Sequence, residues 1–440
     1  MPYLLNCCYF LLLLVVSPLI LYRMLLQGKY REGMGERFTG KIASPSEKKG
    51  RRLWFQAVSV GEVNLLRPIL RDIASLYPDW EIVISSTSKT GFELAQRLFP
   101  DHYVFRCPLD FSWAVRRVVK TINPDMLVLT ELELWPNLVM AVKRAGAQCV
   151  IVNGRISDGS MKRYLRVRPA LAGIFRKLDF VMSGSAESDT RFAQLGVPDE
   201  RRRMTGSIKF DGVQTDPHNP RTESLRHLAQ IPDGAPVFLA GSTQDPEEAM
   251  ALETYRTLIP DHPQLRLILV PRHPERFDDV AALLTDSGLA YTRRTALDSA
   301  SNQENKNQEN LNPTAPILLV DTVGELGAWW GTATAAFVGG SMGSRGGQNM
   351  LEPAAYGAAV CFGPNTKNFR EISERMLQAE AAQVVTNQEE MTEFVRRVLD
   401  DSAFAKQLGN AARSLVLAQQ GATRTTVLQL AQLLDSPCRE

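Results

Sequence analysis

Two glutamates stand two positions apart in the segment Glu131-Leu132-Glu133-Leu134-Trp135-Pro136-Asn137, directly after an apolar run. In an extended chain, alternation would point the carboxylates of Glu131 and Glu133 to the same side. Two carboxylates held close together tend to raise one of their pKa values, which suits acid–base catalysis or tight binding of a polar substrate. The alternative is that both acids cap the helix that Pro136 would begin.

A third carboxylate, Glu36, lies beside Arg37 in a glycine-flanked loop at 33–40. A carboxylate there can act as a general base if a ligand-binding cleft reaches it. Because solvated Glu-Arg pairs are common on protein surfaces, a plain surface pair is the alternative.

The stretch 339–353, which reads GGSMGSRGGQNMLEP, joins a predicted buried strand at 334–338 to a helical pattern at 351–356. Its glycines let backbone N–H groups approach a ligand, and a helix N-terminus attracts anions, so the stretch predicts a phosphate site. Glu352, in the first turn of that helix, is placed to accept hydrogen bonds from a ribose diol. The alternatives are a plain glycine-rich turn and an acid favoured by the helix dipole.

Two further segments after predicted strands carry groups that suit a phosphate. Arg272 and His273 follow one strand, and an arginine binds anions through its forked guanidinium. Such a histidine is otherwise often a structural hydrogen-bonding group. Ser242 and Thr243 follow another strand and offer hydroxyl and N–H groups at a predicted helix N-terminus. The second half of the chain thus predicts an anion site and the first half a carboxylate site, which suggests a nucleotide-activated donor and a deprotonated acceptor.

The elements that position these residues alternate between strands and helices, which predicts an α/β fold with parallel sheets covered on both faces. A polar, proline-containing segment near 211–222 separates two such series. We therefore predict two doubly wound, Rossmann-like domains facing a cleft, at 28–212 and 223–440, joined by a linker at 213–222. The predicted strands are 53–58, 81–85, 103–106, 126–130, 149–152, 180–184, 237–241, 267–270, 317–320, 334–338 and 359–362.

Length and composition agree with two globular domains. At 440 residues the chain exceeds the size at which one hydrophobic core keeps growing. The formal net charge of +2 gives no reason to expect nucleic acid as a partner. The six cysteines show no metal-ligand spacing and no disulfide framework. The polar, low-complexity segment 299–313 cannot bury apolar area and reads as a disordered surface insertion.

The N-terminal segment 1–27 is predicted to be a membrane anchor. Positions 3–26 read YLLNCCYFLLLLVVSPLILYRMLL, close to the ~20 apolar residues that cross a bilayer. Positive residues follow this segment, and by the positive-inside rule they place the rest of the chain in the cytoplasm. Pro18 leaves open a kinked or half-inserted helix, and a buried core helix is the alternative to an anchor.

Many motifs, in order along nearly the whole chain, resemble those of the lipid A 3-deoxy-D-manno-octulosonic acid (Kdo) transferases. They are GERFTG, QAVSVGEV, ISSTSKTG, CPLDF, INPDMLVLTELELWPN, NGRIS, GSIKFD, AGSTQDPEE, LVPRHPERF, DTVGELG, FVGGSMGSRGGQNMLEPAAYG and FGPNTKNF. The resemblance implies a glycosyltransferase of the two-domain B fold (GT-B) on the cytoplasmic face of the inner membrane. Such enzymes move Kdo from CMP-Kdo to the tetraacyl disaccharide precursor of lipid A, with inversion.

The resemblance also implies roles for single residues. Glu36 would be the general base, and Glu131 or Glu133 the essential acid. The implied donor-binding residues are Ser242, Thr243, Arg272, His273, Gly324, Glu325, Gly346, Gly347, Asn349 and Glu352, and the implied acceptor-binding residues are Ser59, Gly61, Glu62 and Arg155. No cofactor or metal is expected, because no Asp-x-Asp motif is present and Arg272 can stabilise a leaving phosphate electrostatically.

One position departs from the family pattern, which often has a histidine where this chain has Gln348. An amide keeps a hydrogen bond but cannot carry the positive charge of an imidazolium, so a charged phosphate contact there is in doubt. Two other readings stay open: a related membrane-associated transferase or epimerase that uses a uridine nucleotide, and a non-catalytic nucleotide-binding scaffold. A dehydrogenase is disfavoured, because no Gly-x-Gly-x-x-Gly motif follows the first strand.

Overall fold

The structure, a computed structural model, describes residues 2–26, 33–166, 168–301 and 315–435. It divides into two compact units: unit 1 holds the chain up to Gly212 and again from Gln419, and unit 2 holds Val213–Ala418. The predicted second domain ran to residue 440, and its C-terminal part is therefore misassigned. The reason is packing, because Val427, Leu430 and Leu434 join a buried cluster of unit 1.

Unit 1 is built on a parallel sheet. Its described strands are β1 (Arg52–Gln56), β2 (Glu81–Ser86), β3 (Tyr103–Arg106), β4 (Met126–Thr130), β5 (Gln148–Gly154), β6 (Phe180–Ser183) and β7 (Arg202–Met204). They lie in the order β3-β2-β1-β4-β5-β6-β7, which is the doubly wound arrangement, and the order reverses between β1 and β4. The predicted strands of this half are confirmed, whereas the three-residue edge strand β7 was not predicted.

Alternation along β1 shows why both faces of this sheet are covered. Leu53 and Phe55 pack in one buried cluster, and Trp54 packs in the cluster on the opposite face. The helices that cover the sheet are α2 (Met34–Thr39), α3 (Val60–Leu76), α4 (Lys89–Leu98), α5 (Ser112–Ile122), α6 (Pro136–Arg144), α7 (Asp158–Arg166), α8 (Arg168–Phe175) and α9 (Ala186–Leu195), with the last helix of the chain, α19 (Ala422–Asp435).

Unit 2 repeats the plan. Its described strands are β8 (Val237–Thr243), β9 (Arg266–Pro271), β10 (Tyr291–Arg293), β11 (Ile317–Leu319), β12 (Ala335–Val338), β13 (Ala359–Phe362) and β14 (Gln383–Val384). They form a parallel sheet in the order β10-β11-β9-β8-β12-β13-β14, which reverses between β8 and β12. The short strands β10 and β14 at its two edges were not predicted.

The helices of unit 2 cover that sheet and its ends. They are α10 (Pro220–Leu228), α11 (Glu247–Leu258), α12 (Phe277–Asp286), α13 (Arg294–Ser301), α14 (Leu326–Trp329), α15 (Leu351–Tyr356), α16 (Arg370–Gln378), α17 (Gln388–Asp400) and α18 (Ser402–Ala418). The helix predicted after the glycine-rich stretch is confirmed as α15, a short helix of six residues. Residues 302–313 of the predicted insertion lie outside the described residues.

The chain begins with α1 (Pro2–Leu26), a helix over nearly all of the predicted anchor. Several of its apolar side chains are exposed, among them Leu11, Leu14 and Val15. Over the described part of the chain, the search for a helix with the length and apolar character needed to span a membrane gives none.

Candidate functional site

The first group of carboxylates lies where the strand order of unit 1 reverses, at the ends of β1 and β4. Ser59 caps α3, and the Glu62 carboxylate accepts hydrogen bonds from the Val58 N–H at 2.8 Å and the Ser59 hydroxyl at 3.0 Å. The Thr130 hydroxyl at the end of β4 donates to the same carboxylate at 2.9 Å. Burial raises the pKa of Glu62. Glu62 thus ties the start of α3, which includes Gly61, to the end of β4.

Glu131 and Glu133 follow β4 and have different surroundings. Glu131 has a left-handed backbone with φ 55°, so the predicted extended alternation is wrong, and its carboxylate pairs with Lys209 at 3.1 Å. Burial, with the negative charges of Glu62 and Glu131, raises the pKa of Glu133 to about 7. The sequence predicted a raised pKa for one of the paired acids, and Glu133 is that acid. Lys209 was missed as its partner, although it stands in the GSIKFD motif.

Glu36 is exposed in the first turn of α2, so the loop predicted around it is a short helix between two left-handed glycines, Gly33 and Gly40. The next residue, Arg37, is partly buried and donates from Nε to the Cys107 carbonyl at 3.0 Å. Glu36 and Arg37 therefore do not form the simple surface pair that was the alternative, because the guanidinium faces the protein.

Two more polar side chains of unit 1 concern the candidate site, one predicted and one not. Arg155 directly follows β5 and is partly exposed. Burial raises the pKa of Tyr164, and the nearby Glu133 carboxylate adds to that shift. Tyr164 was not predicted, because its position in α7 carries no local sequence signal.

In unit 2, a buried carboxylate accepts hydrogen bonds from the first N–H groups of the glycine-rich stretch. Glu247, the first residue of α11, accepts hydrogen bonds from the N–H groups of Gly340 at 2.7 Å, Ser341 at 2.9 Å and Met342 at 3.0 Å. The predicted use of these N–H groups for phosphate is therefore wrong for this part of the stretch. The cause is topology: β8 and β12 are neighbours, so the segments that follow them meet. Glu247 was missed, although it stands in the AGSTQDPEE motif.

The later glycines of the stretch form a folded turn. Gly346 has φ +97° and Gly347 has φ +79°, a region that side chains disfavour. The Gly347 N–H donates to the Gly340 carbonyl at 2.7 Å, and the Asn368 N–H donates to the Gly346 carbonyl at 2.9 Å. A Cβ on Gly346 would collide with the side chain of Lys367, so glycine is required there for space as well as for conformation.

Ser242 and Thr243 do not lie at a helix N-terminus, and that prediction is wrong. Both residues belong to β8, and α11 begins only at Glu247. The strand continues because Thr243 pairs with Pro271 after an irregularity at Ser242, whose φ is 55°. The Thr243 carbonyl also accepts the Arg272 N–H at 3.0 Å, so the strand end sets the backbone of Arg272.

Arg272 and Glu352 were predicted from separate motifs, and in the structure the charge of one acts on the other. Burial raises the pKa of Glu352, and the positive charge of Arg272 opposes that shift. The Asn349 side chain donates from Nδ2 to Glu352 at 2.9 Å, which orients the carboxylate. His273 stands at the start of a short 3-10 turn, with its Nδ1 3.9 Å from the Glu275 carboxylate.

Glu325 is held within unit 2 rather than presented as an unengaged acid. Arg294 donates to both of its oxygens, from Nε at 2.9 Å and from Nη2 at 3.0 Å. Arg221 at 2.9 Å and the Thr322 hydroxyl at 2.7 Å also donate to it. These bonds show that Glu325 stabilises the loop that contains Gly324. Binding of the sugar-nucleotide donor by Gly324 or Glu325 stays a prediction.

Taken unit by unit, the candidate residues suit two chemistries. Unit 1 gathers carboxylates, one of which has its pKa raised to about 7, and in unit 2 the positive charge of Arg272 acts on Glu352. Within the ranges that the structure describes, no group of three or more His, Cys, Asp and Glu side chains is placed to hold a metal ion.

Comparison with known proteins decides the family. Residues 32–212 match the family described as 3-deoxy-D-manno-octulosonic-acid transferase (kdotransferase). A 3-deoxy-D-manno-octulosonic acid transferase from Haemophilus influenzae is 32% identical over 422 residues, which cover 94% of this chain and 95% of the relative. This chain belongs to the Kdo transferase family. It is therefore a glycosyltransferase.

Solved structures confirm the GT-B fold of this Kdo transferase family member. A glycosyltransferase from Rickettsia africae aligns with a TM-score of 0.56 and 14% identity, covering 88% of this chain and 100% of that one. A UDP-GlcNAc 2-epimerase from Neisseria meningitidis, solved with UDP-GlcNAc bound, aligns with a TM-score of 0.58 and 10% identity, covering 87% of this chain and 100% of that one. At such identities the likeness concerns the fold alone.

The family match covers one of the two groups of candidate residues. The segment 32–212 that matches the Kdo transferase family contains the carboxylate group and its cation, namely Glu36, Glu62, Glu131, Glu133 and Lys209. Arg272 and Glu352 lie beyond that segment, within the near-full-length similarity to the Haemophilus relative.

Proposed function

We propose that this Kdo transferase family member moves Kdo from CMP-Kdo to a sugar hydroxyl of the tetraacyl disaccharide lipid A precursor, with inversion at the anomeric carbon. The observation that carries the proposal is the similarity to a named Kdo transferase over 94% of the chain. The geometry supports it, because carboxylates able to handle protons gather in unit 1 and an arginine suited to phosphate stands in unit 2.

In the proposed reaction, unit 1 binds the acceptor and takes its proton. The Glu36 carboxylate accepts the proton of the attacking hydroxyl while that oxygen bonds to the anomeric carbon. Its exposure at the start of α2 leaves the carboxylate accessible to a substrate. Glu133, whose pKa is raised to about 7, can hold a proton near neutral pH and then donate a hydrogen bond to a bound sugar.

Unit 2 is proposed to bind the nucleotide and stabilise its departure. As the bond from the anomeric carbon to the phosphate oxygen breaks, its electron pair stays with CMP, and the added negative charge falls on the phosphate. The Arg272 guanidinium is suited to that charge. The partly buried Glu352 carboxylate, held by Asn349, is suited to accept hydrogen bonds from the ribose hydroxyls. This electrostatic stabilisation calls for no metal ion.

We further propose that the protein acts at the cytoplasmic face of the inner membrane and is attached there through α1. The exposed apolar side chains of that helix support the proposal, because burying them in a lipid surface removes them from water. The check is flotation with vesicles made of phosphatidylethanolamine and phosphatidylglycerol. Full-length protein that stays at the bottom of the gradient, away from the vesicles, would contradict attachment.

The reaction is tested with purified full-length protein in detergent, CMP-Kdo, the tetraacyl precursor and a chelator, with products weighed by mass spectrometry. The expected result is an acceptor heavier by one or more Kdo units, formed equally well with and without the chelator. Parallel reactions with uridine-activated sugars test the competing assignment. Transfer from a uridine donor but not from CMP-Kdo, or binding of CMP without any product, would overturn the proposal.

A further inference from the structure

The short segment 107–112, which contains the CPLDF motif, holds the helix that carries Glu36. The Arg37 guanidinium donates from Nε to the Cys107 carbonyl at 3.0 Å. In the opposite direction, the Leu109 N–H donates to the Arg37 carbonyl at 2.8 Å. Both the side chain and the carbonyl of Arg37 are thus bonded to the segment. Because Arg37 directly follows Glu36, these two bonds fix the position of α2 next to Glu36.

The same segment also holds the helix that follows Glu131 and Glu133. The buried Asp110 carboxylate caps α6, because it accepts the N–H groups of Asn137 at 3.0 Å and Leu138 at 2.8 Å. The Asn137 side chain returns a bond from Nδ2 to the Asp110 carbonyl at 2.6 Å. One six-residue segment therefore positions both parts of the chain that carry the proposed proton-handling carboxylates.

Two polar side chains of the N-terminal helix α1 make hydrogen bonds to this segment. Asn6 is buried; its Nδ2 donates to the Ser112 hydroxyl at 2.8 Å, and its Oδ1 accepts the Ser112 N–H at 3.1 Å. The Asn137 Nδ2 also reaches the Asn6 Oδ1 at 3.3 Å. Tyr9 donates its hydroxyl proton to the Asp110 carboxylate at 2.9 Å. A helix that served only as an apolar anchor would gain nothing from a buried asparagine, whose burial is costly without such partners.

Aromatic packing connects α1 to the Glu36 helix directly. Phe10 of α1 packs against Phe38 of α2 with ring centroids 6.4 Å apart, and against Phe111 at 5.1 Å. Phe38 in turn contacts Trp113 at 5.5 Å, and the Trp113 indole N–H donates to the Phe38 carbonyl at 2.8 Å. Since Phe38 stands two residues after Glu36, α1 contacts both carboxylate-bearing parts of unit 1.

We propose that α1 is a positioning element of the active site: through Asn6, Tyr9 and Phe10 it fixes segment 107–112, which sets Glu36 relative to Glu131 and Glu133. The activity of the enzyme then depends on the packing of this helix against segment 107–112 and not only on attachment to the membrane. The inference rests on the proposed function for its kinetic readout. Its structural readout, the protection of the two carboxylate-bearing segments, is independent of that function.

The test compares matched substitutions within α1 in the full-length enzyme. Tyr9→Phe removes only the hydroxyl that bonds Asp110, and Tyr22→Phe makes the same chemical change at an exposed tyrosine of the same helix. Asn6→Ala removes the bonds to Ser112 and Asn137, and Ser17→Ala is its control, because the Ser17 hydroxyl donates to the Leu14 carbonyl of the same helix. All five proteins are assayed in detergent, where attachment to a bilayer plays no part.

We expect kcat to fall about tenfold in Asn6→Ala and about threefold in Tyr9→Phe, because small displacements of reacting groups are costly. The KM for CMP-Kdo should stay unchanged, and hydrogen exchange should quicken in 34–39 and 131–138. The controls should match the wild type. Unchanged kcat and exchange in both test variants, or a rise confined to the KM for the lipid acceptor, would overturn the proposal. If the wild type itself fails to turn over, the proposed function fails, and the exchange result alone decides this inference.

Discussion

The two units have the same layered architecture but use their carboxylates differently. In unit 1, Glu133 has a pKa of about 7, and Glu36 is exposed in the first turn of its helix. In unit 2, Glu247 accepts hydrogen bonds from successive backbone N–H groups, and Glu325 is gripped on both oxygens by Arg294. The comparison shows one residue type in two kinds of environment, because Glu36 is exposed and Glu133 has a raised pKa, whereas Glu247 and Glu325 are held by several hydrogen bonds. The proposed function assigns proton transfer to the first kind and loop stabilisation to the second.

The largest expected effect falls on the proton-handling side of this comparison. Replacing Glu36 by Gln keeps the shape of the side chain but removes the proton acceptor, so kcat should fall about 10²- to 10⁴-fold. The measurement is product formation under saturating donor and acceptor. Glu47→Gln, at an exposed carboxylate in the segment that follows α2, is the matched control and should keep wild-type turnover. A Glu36→Gln protein that turns over at the wild-type rate would remove Glu36 from the proposed mechanism.

Replacing a loop-stabilising carboxylate of unit 2 should lower the free energy of unfolding. Glu247→Gln replaces one acceptor oxygen by an NH₂ group that faces N–H donors, so the free energy of unfolding should fall by about 3 kcal/mol. Urea unfolding followed by tryptophan fluorescence measures it. Glu253→Gln changes an exposed carboxylate on the same helix, which pairs with Arg256 at 3.3 Å, and should cost less than about 0.5 kcal/mol. Equal losses in the two variants would show that the loop does not depend on Glu247.

A smaller effect should appear in the pH dependence of stability. The pKa of Glu133 is raised from 4.5 to about 7, so the folded state binds the proton more tightly than the unfolded state, and stability falls as pH rises through that window. Glu133→Gln cannot ionise and should be more stable than the wild type at pH 8, by about 1 kcal/mol once solvent screening of a partly exposed group is allowed for. The difference should vanish at pH 4. Parallel curves for the two proteins between pH 4 and pH 8 would contradict a raised pKa.

Local sequence patterns predicted the longer strands of the sheets and the residues that directly follow them. The apolar runs at β1 and β4 predicted the strands, and the segments after them predicted that Glu62, Glu131 and Glu133 lie at the carboxyl ends of those strands. Edge strands of two or three residues, such as β7 and β14, are too short to carry a period and were missed.

The remaining differences come from contacts that are distant in sequence. Glu247 occupies N–H groups of a loop that follows a different strand, and Lys209 neutralises Glu131 from outside its motif. The buried Asn6 interrupts an apolar stretch, and its partners Ser112 and Asn137 lie 106 and 131 positions further along the chain. No window of sequence contains both members of these pairs, so only the folded chain reveals them.

The most direct test of the division between the units measures CMP affinity by calorimetry in two variants. Our account predicts that Arg272→Ala weakens CMP binding at least about tenfold, because the phosphate loses a charged partner worth more than about 1.4 kcal/mol. It predicts that Glu36→Gln binds CMP within twofold of the wild type while losing turnover. If Glu36→Gln loses CMP affinity as strongly as Arg272→Ala, or if Arg272→Ala binds CMP normally, then unit 1 is not the proton-handling half and unit 2 not the nucleotide-binding half.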